Sequence, residues 1–197
     1  MRGMLLMVWL LIPIGVGFYH FGPGQTPARL DSVGAMLAQA RADALNERWS
    51  DAITGFESAL AALPEDKVHE NRQIRLELAK AKMLDHKLPE ANESLETLVA
   101  EMTADSSTDP KLLDDARTAQ ANSQYYLTWL MRLEGEPRAT WEPEIESARQ
   151  TFRLLAEQAE QSGDKANAKR HREDLESSIR LARMDLKDLQ GLPLPSQ

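Results

Sequence analysis

Small and aliphatic residues recur every three or four positions along most of this chain, with polar residues between them. That is the period of helices buried along one face. Leu37, Ala40, Ala44 and Leu45 mark a first helix, capped by Ser32 and ending near Trp49. Ala52, Phe56, Ala59 and Leu60 share a face of a second, capped by Ser50 and stopped at Leu63 by Pro64. A third runs from Val68 to Asp85, and Pro89 in a first turn opens a fourth, to about Met102. After the polar stretch 104–109, Asp109-Pro110 starts a long fifth helix through Leu133. Pro143 fits the first turn of a sixth, with Ile145, Ala148, Phe152, Leu155 and Ala159 on one face. Gly163 stops it, and Asp164 caps a seventh that reaches Gly191. No segment alternates β-branched and polar residues at period two, so no sheet is expected.

Two stretches depart from this period. Residues 4–21 run from Met4 to Phe21 without a formally charged side chain. As a helix they would be roughly 27 Å long, against the ~30 Å hydrocarbon core of a bilayer. We expect a retained single-span anchor with Phe18, Tyr19 and Phe21 at the interface. A cleaved signal peptide, using Gly15 and Gly17 before the cut, is the alternative, with a buried core helix behind it. Arg2 favours a cytoplasmic N-terminus, which places the body in the periplasm or another extracytoplasmic space. Residues 22–31, with Gly22, Pro23, Gly24 and Pro27, then read as a linker, and the Leu-Pro-Leu-Pro tail at 191–197 as extended.

Trp49 to Pro64 carries a more specific order: Ala52, then Phe56, Ala59 and the closing proline. With Ala40 before it, this stretch resembles a tetratricopeptide repeat. A second copy matches at Leu78, Ala79, Leu88, Ala91 and Leu95, without the proline, and a third matches loosely at Ala148, Phe152 and Leu155. Asp43 stands where the pattern wants an aromatic, and Ala52 to Ala91 is 39 residues rather than the usual ~34. The resemblance covers 32–99 well and 112–159 loosely. It implies an all-α fold: a short solenoid of about three helix pairs over 32–190, closed by a C-terminal capping helix and preceded by the transmembrane helix. A plain helical bundle is the alternative. In the last helix Ala168, Leu175, Ile179, Ala182, Leu186 and Leu189 also fit a heptad seam, which offers a homodimer contact as the second reading.

Composition narrows the function. The net charge is −8 over 197 residues, and Arg2 is the one charged residue before position 22, so the body is acidic. That argues against nucleic acid, whose phosphates need basic partners. There are no cysteines, hence no disulfide or thiolate metal site. The four histidines share no metal-ligand spacing, and no phosphate loop or nucleophile motif occurs, so neither an enzyme nor a cofactor is expected. The resemblance implies a protein partner along the groove formed by the first helix of each pair. On this sequence that groove takes in Leu37, Arg41 and Leu45, then Gln73, Leu76, Lys80 and Met83, with Arg41 and Lys80 placed to hold a partner's carboxylate. Tyr125 and Trp129, four apart on one helix, are either a second contact or core. Lys169-Arg-His-Arg172 reads as a solvated helix start. The expected function is a membrane-anchored scaffold or adaptor. An accessory subunit of a membrane complex, docked through its anchor, is the alternative.

Overall fold

A computed structural model describes residues 25–190, and among them every regular element is a helix. In order these are α1 (Gln25–Leu45), α2 (Trp49–Ala62), α3 (Val68–Leu84), α4 (Leu88–Ala104), α5 (Pro110–Leu133), α6 (Arg138–Gln161), α7 (Lys165–Arg183) and α8 (Leu186–Gln190). No described helix is long and apolar enough to cross a membrane. The anchor expected at 4–21 and the tail at 191–197 lie outside the described residues. The chain divides into two compact units after Val68.

The first unit is the hairpin of α1 and α2. Val33 and Ala40 of α1 and Ala52, Ile53, Phe56 and Ala59 of α2 are buried, and the two helices lie against each other. The helices approach closely where Ala40 faces Gly55, since a Cβ built on Gly55 would lie 2.8 Å from that of Ala40. Asp43, the departure from the repeat pattern, is 7% exposed and organises the turn. Its carboxylate accepts from Gln39 Nε2 at 3.0 Å and from the Arg48 guanidinium, while its carbonyl accepts from Arg48 N at 2.9 Å. An aromatic there would lose both side-chain contacts.

The same turn recurs in the second unit. Glu47 and His86, 39 residues apart, both take left-handed φ, 58° and 59°. Arg48 N reaches Asp43 O at 2.9 Å, and Lys87 N reaches Lys82 O at 3.0 Å, the identical five-residue step. Ala40 and Ala79, Ala52 and Ala91, Phe56 and Leu95, and Ala59 and Leu98 are buried at that same 39-residue offset. The spacing in the sequence thus corresponds to two hairpins of one design.

In the second unit consecutive helices pack on each other. Leu76 and Ala79 of α3, Leu95, Leu98 and Met102 of α4, and Leu112, Ala116 and Ala119 of α5 form one core. Arg75 and Glu101 pair across α3 and α4 at 2.5 Å, and Arg72 reaches Asp105 at 2.8 Å and Thr108 at 3.0 Å. Ala121 meets Ala148 and Phe152 of α6, and Trp129, Trp141, Ile145, Leu181 and Leu189 close the far end. Trp129 is therefore core, and Tyr125 packs against it with ring centroids 6.4 Å apart.

Several expected boundaries are corrected. α1 begins at Gln25, inside the expected linker, because Pro27 sits in its first turn, where a missing N–H costs no bond. Ser32 is interior, its Oγ donating to Arg29 O at 2.7 Å. Ser50 is the second residue of α2 rather than its cap. α6 begins at Arg138, so Pro143 is interior. Its exposed side leaves the carbonyl it frees to water, and buried Trp141 with the Arg138–Glu142 pair holds the preceding turn.

The seventh helix ends at Arg183 instead of Gly191. Met184 is extended, with ψ 143°, and α8 follows as a separate turn. Arg132 of α5 causes the break to persist: its guanidinium donates to Leu181 O and to Met184 O, the latter at 2.5 Å. The same group lies 4.9 Å over the Trp141 ring. Of the heptad residues, Ala168 and Leu189 are buried within the chain, and α7 covers α6. Leu186 stays 42% exposed.

Candidate functional site

α5 has three faces, and its sequence assigns two of them to packing. Ala116 and Ala119 are small enough to let α3 and α4 approach, and buried Ser123 donates to Asn92 Oδ1 of α4 at 2.6 Å. Ala121 and Gln124 face α6, with Gln124 Nε2 donating to Ser147 Oγ at 3.1 Å. The remaining face carries Asp115, Thr118, Asn122 and Tyr126, spaced at three or four residues and so stacked along one side.

That face floors a groove. Its first part, about 330 Å³, is walled by Lys80, Met83 and Leu84 at the end of α3 and by Arg170 of α7. Its second part, about 660 Å³, lies among α5, α6 and α7, lined by Lys111, Asp114, Leu155, Gln158, Asn167 and His171 among others. Asp115, Thr118 and Arg170 line both, so the two parts adjoin. The first part draws on α3, α5 and α7, every second helix of the second unit, and the second part adds α6.

Charge is mixed along it. Burial raises the Asp114 carboxyl above its ordinary pKa, and Arg117, at 3.7 Å, pulls it back while the Asp115 charge pushes it further up. Burial likewise raises the Tyr125 and Tyr126 phenols. Asp164 caps α7 by accepting from Asn167 N and Nδ2, at 3.1 and 2.6 Å, which lowers its carboxyl.

The sequence-predicted residues are distributed unevenly. Lys80 and Met83 line the first part of the groove. Gln73 is exposed on α3 and does not line it, and Leu76 is core. Arg41 and Leu37 belong to α1 in the first unit, and Leu45, 86% exposed, ends that helix. Tyr126, not Tyr125 or Trp129, is the aromatic at the groove. Asp115, Asn122 and Arg170 were not anticipated. The first two were legible as a polar ladder on α5, whereas Arg170 comes from a helix 44 residues further on than Tyr126 and carried no local signal.

The basic run at 169–172 needs a correction. Lys169, Arg170 and Arg172 are exposed, but His171 is 5% exposed, with its ring stacked on Phe152 at 6.5 Å. One residue in a solvated run faces inward because helical geometry turns it toward α6. A scan of protein-family models gives no match to this chain, and a search of curated proteins gives none.

Proposed function

We propose that this protein is a membrane-anchored interaction module of the tetratricopeptide-like kind, which holds a protein partner along the groove of α3, α5 and α7. The observation that carries this reading is the convergence of Lys80, Met83, Tyr126 and Arg170, from three helices, around one open hollow of about 330 Å³. The hollow combines what partner recognition uses: an aromatic ring, a flexible thioether and two cations. The ends of both cations can meet a partner's carboxylate, in line with the role the resemblance gives Lys80. The 39-residue repeat of turn and core positions supports the helix-pair design, and the uncharged run 4–21 supports the anchor.

The test is capture of the partner by the full chain, extracted in gentle detergent and analysed by mass spectrometry. Lys80→Glu with Arg170→Glu removes capture while helical content and melting stay as they were; undiminished capture refutes the groove. Sizing of the same extract separates the two forms of the proposal. A stoichiometric assembly of high mass identifies an accessory subunit, and mostly free protein identifies an adaptor.

A further inference from the structure

We draw no further inference here: the strongest candidate, the exposed stripe of Gly34, Ala35, Ala38 and Leu45 along α1 of the first hairpin, is a small-residue face, and nothing in the structure shows what covers it.

Discussion

Arg132 allows the sharpest prediction of stability. Its guanidinium joins α5 to the end of α7 through two carbonyls, Leu181 O and Met184 O, and covers the Trp141 ring at 4.9 Å. Leu181 O is in the last turn of α7 and Met184 O is that of the extended residue just after it, where the helix supplies no partner. Burial lowers the Arg132 pKa, with Asp185 acting in the opposite direction, so part of the gain is offset by lost hydration. Hydrogen bonds from a charged donor contribute about 1.5–3 kcal/mol each, and the ring contact about 0.5–1. With partial desolvation and re-hydration of the freed carbonyls subtracted, Arg132→Met should cost about 2–3 kcal/mol. For a chain of this size that corresponds to a fall in Tm of about 4–12 °C. Arg132→Lys should recover only a part, because one ammonium cannot span two carbonyls in the fork geometry. Urea unfolding gives the free energy, and amide exchange locates it, with 181–189 losing protection first. A cost below about 0.5 kcal/mol, or a Lys variant as stable as the parent, refutes the reasoning.

Gly55→Ala should destabilise the first hairpin even though alanine is the better helix former by about 1 kcal/mol, because the new methyl meets Ala40 Cβ at 2.8 Å. Ala40→Gly in the same chain should recover part of the loss, and a double-mutant cycle without coupling would disprove the contact. Asp105 titrates at about 2 when folded, held down first by the Ser107 hydroxyl and amide and then by Arg72. Its folded pKa is below the unfolded value of about 3.9, so the stability it contributes is present above that value and is lost as pH falls toward 2. A carboxyl carbon titration by NMR checks the midpoint, which Ser107→Ala should raise toward the ordinary range.

Much of the architecture was legible before any coordinates. Apolar spacing located the helices, since a buried stripe must recur at the helical period whatever it packs against, and the 39-residue offset between Ala52 and Ala91 was already visible. Local rules decided less at the ends. Ser32, Ser50 and Pro143 each carry the chemistry of a helix start, yet all three lie inside helices, because burial of Val33, Ile53 and Trp141 outweighs a cap. The break after Arg183 was invisible, for its cause is a guanidinium 49 residues away from Leu181.

The candidate site divides along the same line. Lys80 and Met83 could be assigned from position within a repeat, and Tyr126 was on the right helix but one residue from the aromatic chosen. Arg170, Gln158 and the buried His171 are brought to α5 by helices that follow it, and nothing in their own neighbourhoods marks them. Sequence alone placed most of the hidden aliphatic positions, since that depends on period and polarity within one helix, but it did not foresee that Leu45 is exposed or that Asp43 and His171 are buried. Only the tertiary structure decided which polar residues share a hollow, since that depends on how α3, α5, α6 and α7 are packed together.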